Sequence, residues 1–293
     1  MRARSDGTVI GSRRAALGAL AAFGLASGGL AGCGVSRKVV RIAELAHGCV
    51  DVPVPPADGV HIERGAFLSA HVPDAVRYAI LIPDGAKPDA VVYLLPGRGS
   101  DVNAALSVGW AGFLAQQMRR GGHRFALAIA DAGETYFHPR ASGENRLATV
   151  TTELPRIVGD VLGRAPAQEA IMGQSMGGYG ALLAAEREPR RFRAVAVAGP
   201  AIFPSYEDER RSVGDAFDSA ADFAKYDVVA GAHALRGRPV MIAVGQRDPF
   251  VPGVRMFAKA LPSARIVEQP GCHDDGFWRA SAASLLAFVA AHL

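Results

Sequence analysis

Cysteine is scarce in this sequence, three residues in 293, and tryptophan scarcer still at two, with aromatic residues making up only 7%. So little cysteine excludes a small scaffold stapled by many disulfides, and a chain of this length can bury a sizeable core without them. Charge of one sign is also missing. The formal net charge is +4, but residues 1–32 hold Arg2, Arg4, Arg13 and Arg14 against Asp6 alone, which leaves the remainder at +1. That remainder has no basic stripe with interleaved aromatics, the footprint of a phosphate-backbone binder, so nucleic acid is excluded as a partner. A run long enough to cross a bilayer is wanting as well. The uncharged stretch from Ala15 to Ala31 is 17 residues of largely Ala and Gly, against the ~20 apolar residues a span needs. Hydrophobic residues at 49%, with no internal repeat, describe an ordinary globular chain.

The N-terminus reads as an address and not as structure. Residues 1–33 combine a charged start, the pair Arg13-Arg14, an uncharged run and Leu30-Ala31-Gly32-Cys33. They resemble a twin-arginine signal peptide ending in a bacterial lipobox, which implies export and lipidation of Cys33. The expected location is extracytoplasmic, anchored to the cell membrane through that lipid. Residues 34–60, with Pro53, Pro55 and Pro56, are expected to be a tether, and 61–293 the folded domain. Two thiols remain, Cys49 and Cys272. An oxidising compartment would let them pair, but 223 residues separate them, and two unpaired small apolar residues is the reading carried forward.

Beyond the tether, strand-length apolar runs alternate with helical patterns. Strands are expected over 65–71, 76–83, 90–95, 125–130, 169–173, 194–198, 239–245 and 265–269, and helices over 103–120, 147–162, 176–187, 254–260 and 275–293. Runs such as Ala-Val-Val-Tyr-Leu-Leu at 90–95 are apolar throughout, as in strands buried on both faces. The alternation implies an α/β fold: a mostly parallel sheet between helices, with the first two strands as an antiparallel hairpin at one edge. About forty residues separate Ala198 from Pro239, and this connection is expected to form a small helical cap after the sixth strand.

The segment that carries chemistry is Gly173-Gln174-Ser175-Met176-Gly177, placed between an apolar strand and an apolar-periodic helix. A serine on so tight a turn projects its Oγ clear of the sheet, and only glycine two residues to either side avoids a collision. Asp248 follows a later strand, and His273 lies between the last strand and the C-terminal helix. All three occupy carboxyl ends of strands, where open α/β sheets collect catalytic groups. In that reading Ser175 is nucleophile, His273 base and Asp248 the acid that orients it. Asp131 is the second choice for the acid. Asp274 or Asp275 could cap the final helix, and His233 reads as an ordinary residue. Leu95-Pro96-Gly97-Arg98-Gly99 supplies a loop for an oxyanion hole, with the N–H groups of Arg98 and Met176 as donors.

Ser175, Asp248 and His273 in their contexts, with Pro96 to Gly99, resemble the α/β-hydrolase superfamily over roughly residues 66–293. Within it, Ser175-Met176-Gly177-Gly178-Tyr179-Gly180-Ala181 and Gly133-Glu134-Thr135-Tyr136-Phe137-His138-Pro139 are similar to the esterase D branch. That branch includes S-formylglutathione hydrolases, secreted feruloyl and acetyl esterases and mycolyltransferases. The resemblance implies acyl-ester chemistry without metal or organic cofactor, on a small-molecule, lipid or carbohydrate ester. The segment Tyr136-Phe137-His138 falls at the end of the fourth strand, close to the site, where Tyr136 and His138 are either substrate contacts or part of a packed aromatic cluster. The expected function is an exported serine carboxylesterase. The alternatives are acyl transfer to a carbohydrate acceptor and a non-catalytic binding lipoprotein, the latter opposed by the complete Ser-Asp-His set.

Overall fold

The computed structural model describes residues 48–293. The expected export signal with Cys33, and residues 34–47 of the expected tether, lie outside the described residues. Eight strands form one sheet: β1 (Val60–Leu68), β2 (Ala75–Pro83), β3 (Ala90–Leu95), β4 (Ala126–Ala130), β5 (Gln168–Gln174), β6 (Phe192–Ala198), β7 (Val240–Gly245) and β8 (Arg265–Gln269). Their order is β1-β2-β4-β3-β5-β6-β7-β8. The β1–β2 and β2–β4 pairs are antiparallel and every other pair is parallel, so the expected hairpin sits at one edge.

The continuous apolar runs follow from layers on both faces. Along β3, Val91, Tyr93 and Leu95 enter one core while Ala90, Val92 and Leu94 enter the other. The second core is closed by α1 (Val102–Ser107), α2 (Trp110–Arg119) and α10 (Asp275–Ala290). The first is closed by α4 (Leu154–Leu162, which follows the short α3, Arg146–Ala148), α5 (Met176–Arg187) and α9 (Val251–Ala260). The cap contributes to the same side through α6 (Tyr206–Ser212), α7 (Ala220–Lys225), α8 (Val228–Gly231) and one tight turn, Ala232–Leu235. Ser205 and Ser219 accept backbone N–H bonds that start α6 and α7. No helix among the described residues is long and apolar enough to cross a membrane.

Several expectations need correction, and each has a local cause. The helix expected over 103–120 is two helices, because Gly109 takes a left-handed φ of 99° between them. The segment expected over 147–162 opens into a wider turn at Thr149–Glu153, where Thr151 and Thr152 hydroxyls donate back to the Leu147 and Ala148 carbonyls. Strand β1 starts five residues earlier than expected, because Val60 pairs with Pro83 and the hairpin zips along its whole length.

The described part of the expected tether is no tether. Residues 48–56 form a strap packed on the body. Val54 lies against Gly109, the Pro55 carbonyl fills the space beside Gly112, and Asp51 pairs with Arg279 at 2.8 Å. The reading of two unpaired thiols is corrected too: Cys49 and Cys272 form a disulfide with Cα atoms 4.9 Å apart. Sequence spacing could not decide this, since the sheet brings the two positions together.

Candidate active site

Ser175 is the single residue between β5 and α5, and the N-cap of that helix. Its φ of 55° is one of two positive values among the described non-glycine residues, and its N–H donates to the Ala198 carbonyl at 3.0 Å while its own carbonyl accepts from Ala201 at 2.9 Å. The strained backbone is thus bolted to the end of β6. A methyl group at Gly173 would overlap the Gly177 carbonyl, and one at Gly177 would overlap the Leu95 and Pro96 carbonyls. The two glycines are there because backbone occupies the space a side chain would need. Helix α5 starts at the next residue, and Ser175 makes no side-chain cap bond to it, so the free N–H groups of its first turn lie at the end that Ser175 occupies.

His273 lies in the loop between β8 and α10. Its Nε2 is 2.8 Å from the Ser175 Oγ, and its Nδ1 is 2.7 Å from the Asp248 Oδ2. With the Nδ1 proton donated to the carboxylate, Nε2 is left to accept from the serine hydroxyl. Asp248 has a fully buried side chain, and its other oxygen accepts the Phe250 N–H at 2.8 Å. Aromatic rings hold the imidazole on two sides: Phe250 at 5.1 Å and Trp278, edge-on, at 4.9 Å. Both were missed in the sequence, although each stands close to a motif residue, two after Asp248 and five after His273.

The Pro96–Gly99 loop runs beside the serine. A Cβ on Gly97 would sit 3.5 Å from that of Ser175, and the Gly99 N–H donates to the Gly133 carbonyl at 2.8 Å. Among the described residues, neither the Arg98 nor the Met176 backbone N–H has a protein acceptor. The Arg98 guanidinium reaches the cap instead, pairing with Asp215 at 2.9 Å and with Glu134 at 3.5 Å.

Other expected residues fall elsewhere. Asp131 accepts from the Val102 N–H and from the Arg77 guanidinium, both at 2.8 Å, and shares no contact with His273. Asp274 caps α10, accepting from Phe277, and Asp275 lies in that helix's first turn. His233 is bonded to the Ala230 carbonyl at 2.9 Å in the cap.

Of the two readings of Tyr136 and His138, the packed cluster is the one observed and substrate contact is not: both are buried and bind the cap to the body. Tyr136 packs against Tyr179, Phe203 and Phe217, and burial pushes its phenol well above the usual range. The His138 ring is stacked between Phe217 and Tyr226, at 4.9 and 4.8 Å, and bonded to the Ala216 carbonyl at 2.8 Å. Burial pushes its pKa down. Arg140 closes the seam with two bonds to Asp218 and one to the Asp215 carbonyl. One trio of metal-type donors lies together among the described residues, Cys49, Cys272 and Asp274, and the disulfide consumes two of its members.

An esterase family model, described as "Putative esterase", matches residues 69–274. The S-formylglutathione hydrolase of Bos taurus is 38% identical over 107 residues, which span 35% of this chain and only 38% of that protein. A ferulic acid esterase superposes with a TM-score of 0.69 at 17% identity, covering 80% of this chain and 99% of its own. An S-formylglutathione hydrolase from Agrobacterium tumefaciens gives 0.68 at 18% identity, covering 83% and 99%. Mycobacterium tuberculosis MPT51 gives 0.62 at 17%, covering 78% and 99%. At such identities the solved structures establish the fold, α/β-hydrolase, while the matched span of 206 residues establishes kinship: the chain belongs to the esterase family.

Proposed function

We propose that this protein is an exported serine carboxylesterase in which Ser175, His273 and Asp248 form the catalytic triad. The observation that carries the reading is the unbroken hydrogen-bond chain from Ser175 Oγ through His273 to Asp248, set on a strained elbow at the carboxyl end of the sheet. As Ser175 Oγ attacks the ester carbonyl carbon, His273 Nε2 takes its proton, and Asp248 stabilises the imidazolium through Nδ1–H. As the carbonyl oxygen gains negative charge, the Arg98 and Met176 N–H groups are the proposed donors to it, aided by the start of α5. Collapse breaks the ester C–O bond, the alcohol leaves with the proton from His273, and Ser175 is acylated. Water, deprotonated by the same imidazole, then releases the acid and restores the serine.

The Cys49–Cys272 bond supports export, because such bonds persist outside the reducing cytoplasm. It weighs against a cytosolic glutathione thioester as substrate. The test is hydrolysis of p-nitrophenyl esters of graded acyl length, with a fluorophosphonate probe to mark the nucleophile. Wild type should turn over and label at Ser175, and Ser175→Ala should lose on the order of 10⁴-fold or more in kcat while staying folded. Full activity in that variant would sink the assignment. Lipid anchoring through Cys33 is tested by membrane partition, which Cys33→Ala should abolish, and export by replacing Arg13-Arg14 with Lys-Lys.

A further inference from the structure

We propose that the Cys49–Cys272 disulfide is a positioning element of the reaction, holding the base His273 in register with Ser175, so that opening the bond with a dithiol slows catalysis reversibly. The inference rests on the triad reading above. Cys272 is covalently adjacent to His273, and the loop they share descends from β8, the last strand of the sheet, hydrogen-bonded to β7 alone. On the β7 side the loop is held by the Arg247 N–H, which donates to the Gly271 carbonyl at 3.0 Å. The disulfide supplies a second hold from a different part of the chain.

The strap that bears Cys49 braces both loops of the acid–base pair. Gly48 lies against the Arg247 side chain, a Cβ there falling 3.3 Å from its Nε, and Arg247 precedes Asp248. Cys49 is bonded to the residue preceding His273. The Val50 carbonyl fills the space beside Gly276 in the first turn of α10, and Asp51 pairs with Arg279 one turn further on. Strap, acid loop, base loop and helix are therefore one braced unit. The base in such a unit acts across a 2.8 Å bond, and misplacement by about 1 Å can cost ~10²-fold in rate. Packing of Phe250 and Trp278 against the imidazole retains part of the alignment without the bond, so a partial loss is expected.

Reduction breaks one S–S bond. Two electrons and two protons pass from a dithiol, which becomes a cyclic disulfide, and leave Cys49 and Cys272 as thiols. The experiment compares purified wild type before and after dithiothreitol, and after reoxidation, with Cys49→Ser/Cys272→Ser as the permanent counterpart. Thiol titration follows opening of the bond, and active-site titration normalises kcat to competent sites. Expected is a fall of about tenfold in kcat per titrated site with KM within about twofold, slower fluorophosphonate labelling of Ser175, and recovery on reoxidation. Arg279→Met, which loosens one contact of the strap but leaves the bond, should lower kcat per site by less than reduction does, about twofold at most.

Unchanged kcat after quantitative reduction overturns the proposal. So does a loss lying wholly in the number of competent sites, which would make the bond a stability staple only. Equal loss in Arg279→Met would move the effect from the bond to the strap and overturn it as well. Where the double variant fails to fold, the reduced wild type decides. An oxidised wild type without ester hydrolysis would instead fail the triad reading, a distinguishable result.

Discussion

The elbow and the cap lie on the same side of the sheet and are held by opposite means. The elbow is confined by backbone: carbonyls stand where side chains would go at Gly173 and Gly177, and Ser175 is tied to the end of β6 through both its own N–H and its carbonyl. The cap is confined by side chains, with aromatic rings around Tyr136 and His138 and a seam of ion pairs at Arg98 and Arg140. Backbone confinement fixes a reacting atom and tolerates no substitution. Side-chain confinement can be altered residue by residue, so the cap is where variation in substrate preference can accumulate without disturbing the chemistry.

The sharpest way to test that contrast is at the triad. His273→Ala and Asp248→Asn should each lower kcat by about 10³-fold or more, whereas Asp131→Asn should stay within about threefold, because Asp131 serves the Val102 N–H and Arg77. Steady-state kinetics on a p-nitrophenyl ester separates them, and a severe Asp131→Asn would reverse the assignment of the acid. Next in size is Gly177→Ala. The added methyl meets backbone on a neighbouring loop, so a loss of about 3 kcal/mol or more is expected, read as a lowered urea midpoint or loss of soluble protein. A near-normal midpoint would mean the elbow can yield.

Breaking the cap should do less. Arg140→Met leaves Asp218 without its guanidinium and should cost about 1–3 kcal/mol, with faster proteolysis in the cap and kcat/KM down less than tenfold. The Arg140 bond holds Asp218 below the ordinary aspartate range. A lowered folded pKa adds stability above the unfolded value and loses it as pH falls through the folded one, so this seam weakens in acid. If wild type and variant lose stability equally on acidification, the seam is not the sensor. The smallest effect belongs to Glu186 on α5, where a methyl on Gly231 of α8 would meet its carboxyl and one carboxyl oxygen is buried without a partner. Burial first, then Asp227, pushes it up to about 9. The folded state therefore holds a proton that the unfolded chain has released, and stability falls as pH rises from about 4.5 to 9. Glu186→Gln should raise the melting temperature by a few degrees at pH 8 and leave it unchanged at pH 4, in thermal scans; equal shifts at both would remove titration as the cause.

What the sequence disclosed follows the same division. The elbow, Asp248 and His273 were legible because the constraint is local: glycine at fixed offsets, strand before and helix after. Strands β3 and β8 and helix α5 begin and end where apolar pattern and punctuation place them. The roles of Tyr136 and His138 stayed open between substrate contact and packing because their partners, Phe217 and Tyr226, arrive from about 80 to 90 residues away. Gly109 gave no sign of breaking a helix because the Val54 packed against it belongs to the strap. The pairing of Cys49 with Cys272 was hidden for the same reason, since only the assembled sheet makes them neighbours.

That pairing also changes what the chain is when unfolded. From Cys49 to Cys272 the bond encloses all eight strands, β1 beginning at Val60 and β8 ending at Gln269. The polypeptide between the two cysteines is then a closed ring, with residues 1–48 running in and α10 running out, and in the chain-entropy model a ring of this size disfavours the denatured ensemble by about 5 kcal/mol. A protease that cuts the exposed turn at residues 141–143 opens the ring to a single strand and does not divide the molecule. The two pieces travel as one until a reductant parts them.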